Sequence, residues 1–357
     1  MGDDRTGRRP AGHAMRVLVT GASGLLGREV ARLLVRQGHA VTTFQRRPAV
    51  VDGVEDLTGS VADVEAVRRA VTGAEGVIHL AAKVSFTGRA ADFDQVNIEG
   101  TRRLLRAARE GGVRDFVFVS SPSVANSGTA IAGLGAGPAD PDRAHGHYAS
   151  TKAEAELLAL AADSPEFRVA AVRPHIVWGP GDTQLVERVL ERAGRGRLPL
   201  LDAGAALIDT TYVDNAASAL VAALHRSEHI HGRALVVTNG EPRPVGELLA
   251  GICAAGGVPA PSWSVPGRLA RAAGSVVERV WIRAGREEEP PMTRFLAEQL
   301  STAHWFDQRE TRELLNWAPA VSIDEGLARL ADYYGPPSIR LPYQRPFRGR
   351  GWHTGHV

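Results

Sequence analysis

Three evenly spaced glycines near the start of the chain separate a strand-like segment from a helix-like segment. In MRVLVTGASGLLGREVARLLVRQG, residues 15–38, an apolar run precedes Gly21, Gly24 and Gly27, and apolar residues then recur at helical spacing. Glycines at such a turn let the backbone approach a pyrophosphate, while the following helix N-terminus supplies N–H donors and a partial positive charge. This context favours a dinucleotide-binding turn over a plain turn at the end of a strand.

Strand-like and helix-like segments alternate along the first half of the chain. Strands are predicted at AVTTF, GVIHL, DFVFVS and RVAAVRP, and helices at DVEAVRRAVTG, DQVNIEGTRRLLRAAREGG and YASTKAEAELLALAAD. Such alternation indicates an α/β fold with a Rossmann-type, doubly wound parallel sheet. After about residue 179 the rhythm loosens, with helices at QLVERVLERAG, DNAASALVAALHR and VGELLAGICAAGG. We therefore expect a smaller C-terminal substrate-binding lobe.

The length of 357 residues suits one large domain with an attached lobe. We expect a dinucleotide-binding domain at residues 15–240, with lobe insertions after about 179, and a mainly substrate-binding lobe at 241–335. The polar residues 1–14 predict a flexible extension, and the Pro-, Gly- and Arg-rich residues 336–357 predict an irregular tail.

Composition argues against several classes of protein. A net charge of +2 gives no reason to expect nucleic acid as a partner. Cys253 is the only cysteine, so no internal disulfide and no cysteine-based metal site can form, and we expect no metal. The chain lacks an apolar run of about 18 residues and begins without a signal-peptide pattern, so we expect a cytoplasmic protein.

The end of the second predicted strand bears on the choice of cofactor. An acidic residue there would bind the ribose 2′-hydroxyl of NAD, but this chain has Gln45, Arg46 and Arg47. Two guanidinium groups suit a 2′-phosphate, whereas the alternative is a solvated arginine pair in an arginine-rich chain. We therefore favour NADP(H) over NAD(H).

Tyr148 and Lys152 lie four positions apart in HYASTKAEAE, residues 147–156. Only Lys83 and Lys152 among the 42 basic residues are lysines, so the chain has kept a rare cation here. Positions i and i+4 share one helix face, and a neighbouring cation lowers the high pKa of a phenol. A compact ammonium can also hold ribose hydroxyls, which a planar guanidinium fits differently. The pattern favours an acid/base pair over an exposed tyrosine and a solvated lysine.

Serines end the strand DFVFVS and lie where open α/β sheets bind ligands. Ser121 could donate to a substrate carbonyl, whereas Ser120 is better interpreted as a hydrogen-bonded loop residue. No Gly-x-Ser-x-Gly sequence surrounds them, which argues against a hydrolase nucleophile.

The glycine turn, HLAA, VNIEGT, SSPSV, YASTK and RPHIVWGPGD together resemble the extended short-chain dehydrogenase/reductases, from about residue 15 to about 334. Within that family the chain looks most like the branch of 3β-hydroxysteroid dehydrogenases and sterol-4-carboxylate dehydrogenases. That branch includes bacterial 2-alkyl-3-oxoalkanoate reductases of olefin and β-lactone biosynthesis, which SSPSV, DTTYVDNAASA and STAHWFD resemble most.

The resemblance implies a role for each matching residue. Tyr148 would be the acid/base, Lys152 would bind the nicotinamide ribose, Ser121 the substrate oxygen, and Asn97 would join a proton relay. Asp63 matches the usual adenine contact, although Ser60 replaces an acid often found just before it. His175 is equally well interpreted as a pocket wall or a structural residue. The implied cofactor-binding set is Gly21, Ser23, Gly24, Leu25, Leu26, Gly27, Gln45, Arg46, Arg47, Asp63, Val64, Ala81, Ala82, Lys83, Tyr148, Lys152, Pro174, His175 and Val177.

The expected activity is interconversion of a 3-oxo and a 3-hydroxy group on a large apolar small molecule, foremost reduction of a 2-alkyl-3-oxoalkanoic acid. A 3β-hydroxysteroid dehydrogenase and a nucleotide-sugar epimerase or dehydratase are the enzymatic alternatives, and a non-catalytic NADP(H)-binding regulator is the third. Arg173 or Arg294 could meet a carboxylate, and Arg173 could equally be structural. Aromatic residues that could form an apolar pocket are Trp178, Trp263, Trp281, Trp305, Phe306 and Trp317.

Residues 265–284 predict an amphipathic helix near the mouth of the substrate site. Leu269, Val276 and Val280 recur near helical spacing, and arginines lie between them. Such a helix can contact an anionic membrane surface or can simply pack within the lobe. A homodimer and contact with another enzyme of the pathway are further partner hypotheses.

Overall fold

The computed structural model describes residues 14–85, 88–125, 128–284 and 293–335. The expected tail, and all but the last residue of the expected N-terminal extension, lie outside these ranges. The strands are β1 (Arg16–Thr20), β2 (Ala40–Gln45), β3 (Val54–Thr58), β4 (Gly76–His79), β5 (Asp115–Val119), β6 (Ile131–Leu134), β7 (Arg168–Pro174), β8 (Val177–Trp178), β9 (Leu200–Leu201), β10 (Leu207–Ile208), β11 (Thr211–Tyr212), β12 (Ala234–Val237), β13 (Arg243–Pro244), β14 (Ser264–Val265) and β15 (His304–Phe306).

The helices that cover these strands follow the alternation expected from the sequence. They are α1 (Leu25–Arg36), α2 (Val64–Val71), α3 (Ala90–Phe93), α4 (Gly100–Glu110), α5 (Gly146–Ala161), α6 (Val186–Gly194), α7 (Val213–His225), α8 (Ser227–Ile230), α9 (Val245–Ala255), α10 (Gly267–Arg283), α11 (Arg294–Ser301), α12 (Arg309–Leu315) and α13 (Ile323–Tyr334). A π-helical turn at Asp94–Glu99 joins α3 to α4.

Seven parallel strands form the central sheet, in the order β12-β7-β5-β4-β1-β2-β3. Both β2 and β4 pair with β1, so the chain proceeds outward from β1 in both directions. The carboxyl ends of β1 and β4 flank the point where the strand order reverses, which is the usual ligand crevice of such sheets. The predicted α/β, doubly wound class is confirmed.

Alternate residues of the central strands point to opposite faces of the sheet, and each face has its own apolar core. Val17 and Val19 of β1 belong to the core that includes Val30 of α1 and Leu220 of α7. Leu18, between them, belongs to the core beneath α2, α4 and α5. The near-continuous apolar pattern of the strands therefore reflects burial on both faces.

A smaller lobe stands at the carboxyl edge of the sheet. Its four-stranded sheet has the order β13-β10-β15-β6, and a core around Trp178, Tyr212 and Ile252 lies among α6, α9 and α13. Because β6 comes from residues 131–134, the lobe takes chain from both halves. The division at residue 240 stays a prediction.

The two edge strands of the seven-stranded sheet, β3 and β12, were not predicted from the sequence. β3 is an edge strand, VEDLT, in which most residues are exposed or charged, so it lacks the apolar run of a central strand. β12, ALVV, is only four residues long. The helix expected over DQVNIEGTRRLLRAAREGG is also divided, because the π-helical turn replaces its first residues.

Candidate active site

The glycine turn between β1 and α1 forms a cradle that side chains would fill. Gly21 has a φ of +80°, and a Cβ there would lie 2.9 Å from the backbone nitrogen of Ala81. A Cβ on Gly27 would lie 2.5 Å from the carbonyl oxygen of Gly21. Gly24 is the N-cap of α1 and supplies no side-chain cap, so the first N–H groups of the helix can meet a ligand. The turn thus fits a dinucleotide pyrophosphate, and the flanking Ser23, Leu25 and Leu26 are partly buried.

The side chain of Gln45, at the end of β2, supports the glycine turn through hydrogen bonds. Its side-chain oxygen accepts a hydrogen bond from the N–H of Ala22 at 3.2 Å, and its amide nitrogen donates to Asp56 Oδ1 at 2.5 Å. The side chain is buried and already occupied by these partners. Arg46 and Arg47 are exposed and form no ion pair among the described residues, so their guanidinium groups can meet an anion.

Asp63 precedes α2 and caps it. Its Oδ1 accepts hydrogen bonds from the N–H groups of Glu65 and Ala66 at 3.0 and 3.1 Å. Val64, the first helical residue, is exposed. The structure therefore gives Asp63 a capping role, beside which its adenine contact stays a prediction.

Asn97 links the loop after β4 to helix α5. The N–H of Lys83 donates to Asn97 Oδ1 at 2.7 Å, and Asn97 Nδ2 donates to Thr151 Oγ1 of α5 at 3.0 Å. Asn97 is 1% exposed and lies in the π-helical turn, which places its amide between loop and helix. Both ends of the amide have structural partners, so the geometry indicates a positioning role; a proton relay stays a prediction.

Ala81 and Lys83, in the same loop after β4, also interact with neighbouring residues of the protein. The N–H of Ala81 donates to Thr20 Oγ1 at 3.1 Å, so the loop is tied to the end of β1, and Ala82 follows it. The ammonium of Lys83 pairs with Asp92 at 3.1 Å and lies 5.0 Å from the ring centroid of Phe93.

Ser121 and Tyr148 meet beyond the carboxyl end of β5. The Tyr148 hydroxyl is hydrogen-bonded to the Ser121 side chain, and Ser121 Oγ also accepts from Ser123 Oγ at 3.0 Å. Burial raises the pKa of Tyr148 to about 12, and the hydrogen bond to Ser121 opposes that rise. Tyr148 therefore carries its proton at neutral pH, and the lowered phenol pKa expected from the neighbouring lysine is not found, because burial dominates. Ser120 is buried, and its hydroxyl has no hydrogen-bond partner among the described residues, contrary to its interpretation as a hydrogen-bonded loop residue.

Lys152 follows Tyr148 by one helical turn and is 3% exposed. Its Nζ donates to the carbonyl oxygen of Val119 at 2.7 Å and lies 3.9 Å from the ring centroid of Phe118. Burial lowers the pKa of Lys152 to about 7, and the negative charge of Glu156 raises it. The ammonium thus depends on nearby negative charge to stay protonated.

Glu156 lies one further turn along α5 and forms a buried ion pair with Arg173 of β7. Arg173 Nε donates to Glu156 Oε2 at 2.8 Å, a second bond joins Nη2 to Oε1, and the two side chains are 0% and 1% exposed. Arg173 Nη1 donates to the carbonyls of Ala136 and Gly137. Of the two alternatives for Arg173, the structure supports the structural one, because the guanidinium has no exposed surface for a substrate.

His175 lies at the junction of the sheet and the lobe. Its Nδ1 is 2.6 Å from the carbonyl oxygen of Asp209, its ring centroid is 5.1 Å from that of Phe306, and burial lowers its pKa to about 4. Pro174 ends β7, and Val177 begins β8. The ring of His175 therefore contacts the lobe, whereas its backbone N–H donates to the carbonyl oxygen of Val237 in β12 at 3.0 Å; its place in a cofactor pocket stays a prediction.

A cavity of about 330 Å³ opens beside Tyr148. Its walls come from the loop after β4, α3, the start of α5, α10 and α11, and they include Phe93, His145, Arg294 and Glu298. The tryptophans considered for an apolar pocket do not line it: Trp178 is buried in the lobe core, and Trp305 borders a separate cavity of about 440 Å³.

Sequence reasoning missed Glu156 and the pairing of His145 with Glu298. Glu156 had a signal, since Tyr148, Lys152 and Glu156 repeat every four residues on one helix face. His145 Nδ1 lies 3.2 Å from Glu298 Oε2 although 153 residues separate them in sequence, and no local pattern could have shown this pairing.

In the described part of the chain, no group of three or more His, Cys, Asp or Glu side chains could hold a metal ion.

A glycine cradle and a hydrogen-bonded Ser–Tyr pair with a buried lysine, all on one edge of a doubly wound sheet, define a nicotinamide-dependent oxidoreductase of the extended short-chain dehydrogenase/reductase class. The chain belongs to the NAD dependent epimerase/dehydratase family, whose model matches residues 17–238. The expected family is confirmed.

Curated relatives lie in the branch expected from the sequence. A 2-alkyl-3-oxoalkanoate reductase of Stenotrophomonas maltophilia is 42% identical, over 88% of this chain and 98% of that protein. A second, from Shewanella oneidensis, is 35% identical over 87% and 84%. A 3-beta-hydroxysteroid dehydrogenase of Mycolicibacterium neoaurum is 29% identical over 89% and 90%.

Solved structures of the same fold are more distant in sequence. The Thermus thermophilus UDP-glucose 4-epimerase complex with NAD is 24% identical, with a TM-score of 0.66 over 90% of this chain and 99% of that one. At that identity the likeness supports the fold.

Proposed function

We propose that the protein uses a reduced nicotinamide cofactor to reduce the 3-oxo group of a 2-alkyl-3-oxoalkanoic acid to the 3-hydroxy acid. The observation that carries the proposal is the hydrogen-bonded Ser121–Tyr148 pair beside a cavity, with Lys152 one turn further on. The names of the two reductases, which are similar to this chain over 98% and 84% of their lengths, support the substrate class.

Tyr148 is the proton donor in this proposal. Because burial raises its pKa to about 12, the phenol is protonated at working pH and can give its proton to the carbonyl oxygen as that oxygen gains negative charge. Ser121 holds the same oxygen by a hydrogen bond and favours its charged form. Together they orient the carbonyl and complete the alcohol.

Lys152 supports Tyr148 and the cofactor. When bound, a reduced nicotinamide supplies the hydride that attacks the carbonyl carbon. An ammonium has three N–H donors, and the carbonyl of Val119 takes one of them, so the others can meet ribose hydroxyls. Its positive charge also stabilises the phenolate left when Tyr148 gives up its proton.

NADP(H) is the cofactor we propose over NAD(H). Arg46 and Arg47 support this choice, since they are exposed, form no ion pair within the described ranges, and carry two guanidinium groups that match a 2′-phosphate. Fluorescence titration of both reduced cofactors against the wild type and Arg46→Ala tests it. Tighter NADH binding that Arg46→Ala leaves unchanged would contradict the preference.

The same site could serve a steroid, which also presents bulk and a 3-oxygen, and one relative carries that name. A comparison of kcat/KM across 2-alkyl-3-oxo acids, 3β-hydroxysteroids and UDP-sugars separates the candidates, with Tyr148→Phe as the catalytic control. We expect Tyr148→Phe to lose about 10²- to 10⁴-fold in kcat while retaining cofactor affinity. Preference for a steroid would overturn the substrate, and preference for a UDP-sugar would overturn the reductase proposal.

The outer face of α10 supports peripheral contact with an anionic membrane. Leu269, Val276 and Val280 are 56%, 58% and 53% exposed, and the exposed Arg268 and Arg279 lie beside them. No helix in the described ranges is long and apolar enough to cross a membrane. Flotation with anionic and neutral liposomes tests the contact, and the absence of salt-sensitive binding would contradict it.

Homodimerisation and contact with another pathway enzyme stay predictions, which light scattering and co-purification can test.

A further inference from the structure

Arg294 is the only arginine or lysine among the described residues that line the cavity beside Tyr148. It begins α11, and its side chain is 57% exposed. Its Nε donates to Glu298 Oε1 at 2.8 Å, and its backbone N–H donates to Glu278 Oε1 at 2.9 Å. Glu298 therefore holds one edge of the guanidinium and leaves the Nη donors for a ligand.

The carboxylate that holds Arg294 is itself fully engaged. Glu298 is 6% exposed, and its Oε2 lies 3.2 Å from His145 Nδ1. A Cβ on Gly128 would lie 3.0 Å from the His145 ring and 3.3 Å from Glu298 Oε2, so the cluster is closely packed. His145 immediately precedes α5, three residues before Tyr148. The cluster thus fixes Arg294 relative to the catalytic helix.

We infer that Arg294 binds the carboxylate of the substrate, an inference that rests on the proposed function. In a 3-oxo acid the carboxyl carbon is two bonds from the ketone carbon. A ketone oxygen at Tyr148 therefore brings the carboxylate into the same cavity. The guanidinium fork matches a carboxylate with two parallel hydrogen bonds, and Glu298 preorganises it.

The ion pair also protects a labile substrate. A 3-oxo acid loses CO₂ when its carboxyl proton passes to its own ketone oxygen as the C1–C2 bond breaks and an enol forms. A carboxylate held as the anion by Arg294 has no such proton to transfer, so this route is suppressed until the ketone is reduced. The 3-hydroxy acid has no ketone to accept the proton and is stable to this route.

The test compares a 2-alkyl-3-oxo acid with its methyl ester as substrates of wild type and Arg294→Gln. We expect wild type to prefer the acid, and the variant to lose about 10- to 100-fold in kcat/KM for the acid, mainly through KM, with the ester unaffected. Arg294→Lys should recover part of the loss. Arg195→Gln is the matched control, since Arg195 also forms an exposed i,i+4 pair with a glutamate on a lobe helix.

Unchanged ester turnover shows that Arg294→Gln is folded. If wild type reduces acid and ester equally well, or favours the ester because Glu278 and Glu298 repel an anion, the inference is overturned and the reductase proposal stands. An unchanged acid-to-ester ratio in Arg294→Gln overturns it in the same way. If wild type reduces neither compound, the proposed function fails and the inference fails with it.

Discussion

Replacing Glu156 by glutamine tests how the buried charges behind the active site act. The variant leaves the Arg173 guanidinium, 0% exposed, without its anionic partner. Removing one partner of a buried ion pair costs about 3–5 kcal/mol, and because glutamine still offers one acceptor we expect the lower end, about 3 kcal/mol. Denaturant unfolding measures this loss, with Glu154→Gln, an exposed change on the same helix, as the matched control.

The same variant should move the pH dependence of activity. Burial lowers the pKa of Lys152 to about 7, and Glu156 raises it. Removing the negative charge therefore lowers that pKa further, so Lys152 loses its proton at lower pH. We expect the alkaline limb of the kcat/KM profile to shift to lower pH in Glu156→Gln and to stay in place in Glu154→Gln. Equal stability losses in the two variants, with superimposable pH profiles, would refute the reasoning.

Three further predictions follow from single contacts. Gly21→Ala should abolish most cofactor binding, because φ is +80° and the new Cβ would lie 2.9 Å from a backbone nitrogen. Fluorescence titration of the cofactor, with Arg195→Gln as the control, measures the loss, and wild-type affinity in Gly21→Ala would contradict the prediction. Asn97→Ala should lower the free energy of unfolding by about 1–3 kcal/mol and reduce kcat, since the Lys83 N–H loses its acceptor. Urea unfolding and turnover measurements test this, and unaltered values would show that this hydrogen bond contributes neither to stability nor to activity. Burial lowers the pKa of His79 from 6.5 to about 3, so the folded protein resists protonation at pH values where the unfolded chain accepts a proton. The free energy of unfolding should therefore fall as the pH drops below about 6.5, by up to about 1.4 kcal/mol per pH unit. His79→Asn should flatten this slope in unfolding measurements, and a slope identical to that of the wild type would contradict the prediction.

Much of the fold and part of the site were predictable because they depend on local sequence. The glycine turn lies between the expected strand and helix, and Tyr148 and Lys152 share one face of α5, since both patterns span only a few residues. Serines at the end of β5 reach the same edge because parallel strands end together there. β3 and β12 were missed, because one is a charged edge strand and the other is very short.

The sequence by itself determined the class of fold, the dinucleotide turn and the spacing of tyrosine and lysine, because periodicity, glycine conformational freedom and helix geometry act over short stretches. Only the tertiary structure decided which charged groups stand beside these residues. By sequence Arg173 could bind a substrate carboxylate, but in the structure it is buried against Glu156. Arg294 lines the cavity beside Tyr148 because α11 packs near the start of α5. Such pairings join distant residues, and their strength depends on burial, which no local pattern specifies.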